Sequence, residues 1–188
     1  GGILAKTINY NFDRAGNLLT LVDAFASPRT TTYTYDPADQ LTNVSYSDGT
    51  TPNVGYVHDI LGRLISMGDG TGTSTYTYDS LGRLTGHTDG AGKVLGFTYD
   101  LKGQLTSIAY PNSVGSVTRS YDDAGRLHTI LDWLSPGSRS AFSYTYDENS
   151  NVTNLAYPNG DSAAMTYNHA DQMIQKSDTA NSMTILNL

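Results

Sequence analysis

The sequence predicts an all-β protein of tandem antiparallel β-hairpin repeats, and three observations predict it. One short pattern recurs eight times: an aromatic residue, an acidic or amide residue, two variable positions, a turn residue, a polar residue and an aliphatic. The acidic or amide positions lie 20 to 25 residues apart, and a period that short denotes a supersecondary unit that buries its apolar face only by stacking on its neighbours. Ahead of most copies the chain alternates with period two, the mark of a strand with one apolar and one polar face. Composition agrees, since 19 Gly and 14 Tyr with only 15% charged residues suit turn-rich β structure. The apolar share of 38% falls below the usual ~45–50%, so no thick core is expected.

Taken in order, residues 3–12 read as a lone opening strand. The pattern then occupies residues 12–18, 35–41, 58–64, 78–84, 99–105, 121–127, 146–152 and 167–173, and residues 182–188 read as a closing strand. Strands such as Thr32-Tyr33-Thr34-Tyr35, Thr75-Tyr76-Thr77-Tyr78 and Ser143-Tyr144-Thr145-Tyr146 carry aromatics on one face and Thr or Ser on the other. After each copy a second strand runs out, as in Leu41-Thr42-Asn43-Val44-Ser45-Tyr46, where alternation fails once. Either the first aliphatic belongs to the turn or a β-bulge sits in the strand.

All 14 tyrosines fall in two registers, the strand before the pattern or the position five residues after its aliphatic. Tyr46, Tyr110 and Tyr157 hold the second, and Asp holds it in the other five copies. Asp48-Gly49, Asp69-Gly70, Asp89-Gly90 and Pro158-Asn159-Gly160 follow there as hairpin signals. Each repeat is thus one hairpin, and the pattern loop joins it to the next. The fifth position of the loop is Gly in five copies, Asp39 and Asp171 in two and Ser150 in one. Gly and Asp suit a left-handed backbone, and Ser150 is the exception. The preceding acid is expected to accept N–H groups of its own loop, and Arg63, Arg83 and Arg126 to cross to acids of a neighbouring repeat.

These residues, Tyr-Asp-x-x-Gly-Arg-Leu-Thr at Tyr78, Asp79, Gly82 and Arg83 through Thr85 and its seven relatives, resemble the YD repeat of bacterial Rhs proteins, insecticidal toxin-complex subunits and teneurins. The motif positions also include Tyr35, Asp36, Tyr99, Asp100, Tyr121, Asp122, Arg126, Tyr146 and Asp147. The resemblance implies a curved or spiralling sheet, part of a YD shell or a small barrel-like turn, enclosing or presenting another polypeptide. The lone strands at both ends would leave edges open to pairing, so the single array over residues 1–188 is expected to be a segment of a larger protein, which the resemblance implies is secreted or on a bacterial surface. The family's self-cleaving element is not matched, because Asp36-Pro37-Ala38-Asp39 lacks its Gly.

The search for chemistry returns little. There is no cysteine, no helix-length apolar run for membrane insertion and, at a net charge of −7 with scattered Lys and Arg, no basic patch for nucleic acid. No cofactor or metal is called for: His58, His87, His128 and His169 have no ligand spacing, and His58 replaces a pattern tyrosine. Asp147-Glu148-Asn149-Ser150-Asn151 begins like a calcium loop but meets Val152 and Pro158 where Gly and Glu belong. Repetition of the acids points to turns, so catalysis is not expected. The alternative function is carbohydrate binding or adhesion through exposed aromatics, with Trp133 and Phe25 at irregular hairpin tips and Tyr46, Tyr110 and Tyr157 as candidates.

Overall fold

The computed structural model describes residues 7–24, 27–132, 141–179 and 183–187. Its contacts divide the chain into two compact units, Gly1–Val94 and Leu95–Leu188. The first holds β1 (Asn9–Phe12), β2 (Leu18–Val22), β3 (Thr30–Tyr35), β4 (Leu41–Tyr46), β5 (Val54–His58), β6 (Leu64–Asp69), β7 (Gly72–Tyr78) and β8 (Leu84–Thr88). From the unit boundary onward come β9 (Val94–Tyr99), β10 (Leu105–Ala109), β11 (Ser116–Tyr121), β12 (Leu127–Leu131), β13 (Ala141–Tyr146), β14 (Val152–Ala156), β15 (Ser162–Tyr167), β16 (Met173–Asp178) and β17 (Met183–Asn187). A 3₁₀ turn at Pro111–Ser113 links β10 to β11.

Within each unit every strand pairs antiparallel with the next in sequence, from β1 through β8 and from β9 through β17. The all-β hairpin array read from the sequence is the observed fold. Each pattern loop closes a hairpin by the same two backbone bonds: Asp79 N–H donates to the Arg83 carbonyl at 2.9 Å and Gly82 N–H to the Asp79 carbonyl at 3.0 Å. The fifth position has positive φ in all eight copies, between 57° at Asp171 and 95° at Gly16. Ser150, at +70°, adopts the same conformation, so it is an exception in residue type and not in geometry.

The broken alternation is a bulge. In β3–β4, Tyr35 pairs with Leu41 but Thr34 pairs with Asn43, leaving Thr42 as the extra residue. The same slip recurs in all eight pattern hairpins. The extra threonine turns its hydroxyl onto the threonine before the pattern aromatic: Thr34–Thr42 and Thr77–Thr85 at 3.2 Å, Thr98–Thr106 at 3.0 Å and Thr145–Thr153 at 2.9 Å. The bulge therefore returns the aliphatic to the aromatic face while a hydroxyl bond fixes the slip.

Among the described residues no second layer of secondary structure packs against that face within either unit. Among the described residues only Val44, Ala163 and Thr31 are buried, and no large side chain is fully enclosed. Most of the described aromatics are half-exposed, as the low apolar share predicts.

Candidate functional site

With so little enclosed core, the seams between repeats must hold each unit together. Each seam starts from the pattern aspartate. Asp59 Oδ1 accepts the N–H groups of Leu61 at 2.9 Å and Arg63 at 3.0 Å, and Asp79 Oδ1 those of Leu81 and Arg83, both at 2.9 Å. Asn168 does the same in the eighth copy, from Ala170 at 2.9 Å and Gln172 at 3.0 Å. Satisfying two N–H groups with one side-chain oxygen fixes the loop before any neighbour is present.

The arginines correct one expectation. Arg63, Arg83 and Arg126 pair with the aspartate of their own loop, with Nε to Oδ2 distances of 2.7 Å. The short (i, i+4) reach closes that ring more easily than a contact across the seam. The guanidinium face is what crosses: Arg63 lies 4.6 Å from the Tyr78 ring centre and Arg126 4.5 Å from that of Tyr146. Arg126 Nη1 also donates to the Asp147 carbonyl at 3.0 Å.

The pattern tyrosine completes the seam. Its hydroxyl donates to the carbonyl of the aliphatic that closes the preceding copy: Tyr35 to Leu18 at 3.0 Å, Tyr78 to Leu64 at 2.8 Å, Tyr121 to Leu105 at 2.9 Å, Tyr146 to Leu127 at 2.7 Å and Tyr167 to Val152 at 2.9 Å. Each such bond contributes about 1 kcal/mol, and each guanidinium–ring contact about 0.5–1 kcal/mol. The sequence does not disclose this stitch directly, although the recurrence of Tyr where Phe would pack as well is its signal. His58 has no hydroxyl to give, and its Nδ1 is buried without a partner.

The opposite ends of the hairpins hold a second feature the sequence did not disclose. In the first unit a Cβ added at Gly72, where φ is +132°, would sit 2.3 Å from the Gly90 carbonyl oxygen, and one at Gly70 would sit 2.4 Å from Pro52 Cγ. Gly72 and Gly90 there touch backbone to backbone and Gly70 meets the Pro52 ring, so the glycines serve packing as well as turning.

Of the residues proposed for ligand contact, Tyr46, Tyr110 and Tyr157 are described. Trp133 and Phe25 lie outside the described residues. Tyr46 is half-buried beneath the Arg29 guanidinium, 5.8 Å from its ring centre. Tyr157 is half-buried edge-on to Phe142 at 6.2 Å. Tyr110 is half-buried ahead of the 3₁₀ turn, its N–H bonded to the Gly115 carbonyl at 2.9 Å.

The electrostatics of the pattern acids favour the carboxylate form. The backbone N–H of Arg63, reinforced by its guanidinium, holds the Asp59 carboxyl below the usual range, and Arg83 and Arg126 do the same for Asp79 and Asp122. A general acid needs the reverse shift. Among the described residues no three His, Cys, Asp or Glu side chains are grouped to hold a metal. The calcium-like stretch is an ordinary pattern loop: Asn151 Nδ2 donates to Asp147 Oδ2 at 3.1 Å and to Asp171 Oδ1 of the next pattern loop at 2.8 Å. An open depression of about 340 Å³ beside it is lined by Asp147, Asn149, Thr153, Met165, Tyr167 and Asp171.

Comparison with known proteins agrees with this geometry. A family model described as Teneurin YD-shell matches residues 3–133. No curated protein matches. Among solved structures, the crystal structure of TcdB2-TccC3-Cdc42 is similar at 15% identity and a TM-score of 0.71, over 95% of this chain and 10% of that one. The crystal structure of TcdB2-TccC3-TEV is similar at 16% identity and a TM-score of 0.56, over 96% and 12%. The Photorhabdus luminescens Tc holotoxin pore with TccC3-D651A is similar at 17% identity and a TM-score of 0.52, over 95% and 9%. The chain therefore spans about a tenth of the length of the solved chains it matches.

Proposed function

The chain belongs to the teneurin YD-shell family, and from that membership we propose that it is a stretch of shell wall that encloses or presents another polypeptide. The observation that carries this reading is the one-sided sheet, in which aromatic and aliphatic side chains share a face; among the described residues no second layer of the same unit covers it, and only Val44, Ala163 and Thr31 are buried. A wall needs such a face toward its contents and a hydroxyl-bearing face toward water. The eight copies act as one array, without catalysis, as part of a larger repeat protein that is secreted or held at a bacterial surface. The toxin assemblies named among the similar structures support a shell role by analogy of fold.

Electron cryomicroscopy of the full-length protein containing these residues tests the proposal. The expected map places Tyr33, Tyr76 and Tyr144 toward an enclosed volume that holds polypeptide density. A map with those rings facing bulk water sinks it. Glycan capture at Trp133, Phe25, Tyr46, Tyr110 and Tyr157 is the competing proposal, and a titratable hit on a glycan array, quenching Trp133 fluorescence, would favour it.

A further inference from the structure

Within each unit the sixth residue of one pattern loop lies against the fifth residue of the next, and the two residue types vary together. Where the sixth residue is long, the fifth is small: Gln40 faces Gly62, Arg63 faces Gly82, Gln104 faces Gly125 and Arg126 faces Ser150. Where the sixth is short, the fifth is Asp: Asn17 faces Asp39, and Asn151 faces Asp171. The three seams within each unit all take one of these two forms.

Reach explains the pairing. A long side chain spans the seam to the next backbone: Gln104 Nε2 donates to the Gly125 carbonyl at 2.6 Å, and Arg126 Nη1 to the Asp147 carbonyl at 3.0 Å and the Ser150 hydroxyl at 3.3 Å. A side chain on the fifth residue then has little room. A Cβ added at Gly62 would sit 2.9 Å from Gln40 Nε2, and one at Gly125 would sit 3.3 Å from Gln104 Nε2. Asparagine is one methylene shorter than glutamine, and a carboxylate on the next loop comes out to meet it. Asn17 Nδ2 donates to Asp13 Oδ2 of its own loop at 3.0 Å and to Asp39 Oδ1 of the next at 2.7 Å. Asn151 Nδ2 bridges Asp147 and Asp171 in the same way, at 3.1 Å and 2.8 Å. One amide thus divides its two N–H groups between two loops.

We infer that the sixth and fifth residues form a recognition pair that decides which pattern loop fits against which, Arg or Gln taking Gly or Ser and Asn taking Asp. All eight fifth residues share the left-handed backbone, so the side chains and not the conformation separate the two forms. Asp39 and Asp171 accept a φ that is costly for a residue with a Cβ, and the bond across the seam offsets that strain. The eighth loop presents the exposed Gln172 at its sixth position. The rule therefore sets the chemistry of any pattern loop that stacks there, which must carry Gly or Ser as its fifth residue.

Exchanging one form for the other at the Gln40–Gly62 seam tests the rule, with the urea midpoint of the whole chain as the readout. Gly62→Asp is expected to lower the midpoint by more than Gly92→Asp. Gly92 has the same φ of +79° in a turn closed by the same two backbone bonds, but nothing lies within 4 Å of its added Cβ. Gln40→Asn alone also lowers the midpoint, because the shorter amide no longer spans the seam. Combined with Gly62→Asp it instead recovers about 0.5 M of the loss. Gln104→Asn with Gly125→Asp repeats the cycle in the second unit, and circular dichroism confirms that each variant is folded. Single losses that simply add in the double variants overturn the inference. So does a Gly62→Asp loss no larger than that of Gly92→Asp, which would leave backbone strain as the whole effect.

Discussion

The two ends of the hairpins follow different rules. At the pattern end all eight loops share one backbone, with the same pair of closing hydrogen bonds, a left-handed fifth residue and a bulge on the outgoing strand. At the tip end the turns differ in length and bonding. Asp69 accepts from Thr71, the Asp89 turn repeats the closing bonds of the pattern loop, and Pro111–Ser113 forms a 3₁₀ turn. The uniform end sets the register, because an error of one residue there turns every side chain to the wrong face. The variable end is released from that task, yet in the first unit it is constrained by contact between tips.

That contrast can be broken most directly at Gly72. If tips were free, Gly72→Ala would cost only the backbone strain of its positive φ. The left-handed φ and the 2.3 Å approach to the Gly90 carbonyl instead predict a loss of about 3 kcal/mol, read as a lower urea midpoint. Gly55→Ala, where nothing lies within 4 Å and φ is ordinary, is the control and changes stability by less than about 1 kcal/mol.

The next largest effect sharpens the pattern end. Tyr78→Phe removes the 2.8 Å bond to the Leu64 carbonyl and costs about 1–2 kcal/mol, because the carbonyl loses its partner. His58→Tyr, at the copy that lacks the hydroxyl, raises stability by about 1 kcal/mol. A gain at His58 without a loss at Tyr78 would show that the stitch is decorative.

Smaller again is Arg126→Lys. A lysine keeps the charge beside Asp122 but loses the flat stack on Tyr146 and the bond to the Asp147 carbonyl, for about 0.5–1 kcal/mol. The same change with Tyr146→Leu already in place costs less, and a double-mutant cycle gives the difference.

The smallest effect at any one site is protonation of a pattern acid. Folding lowers the carboxyl pKa of Asp13, Asp59, Asp79 and Asp122 below 3.8. Their contribution is therefore complete above the ordinary carboxylate range and disappears as pH falls through the lowered values. Thermal midpoints measured from pH 6 to pH 2 decline below about pH 4. Asn168 has no proton to gain, so hydrogen exchange in the eighth loop should respond less than in the others.

By itself the sequence determined the repeat, the all-β class, the faces of the strands and the Asp-anchored turn, because each is written within a few residues and follows from local stereochemistry. It also marked the fault in alternation at Leu41 and its relatives, although only the pairing of Tyr35 with Leu41 and Thr34 with Asn43 identified it as a bulge. The seams were decided by tertiary structure. The Tyr78 hydroxyl and the Leu64 carbonyl are brought together by the stacking of one hairpin on another, and the approach of Gly72 to Gly90 exists only when two tips lie side by side. The ion pairs divided along the same line. A local loop offers Arg63 its own aspartate at once, whereas the ring of Tyr78 comes within reach only after the next strand is in place.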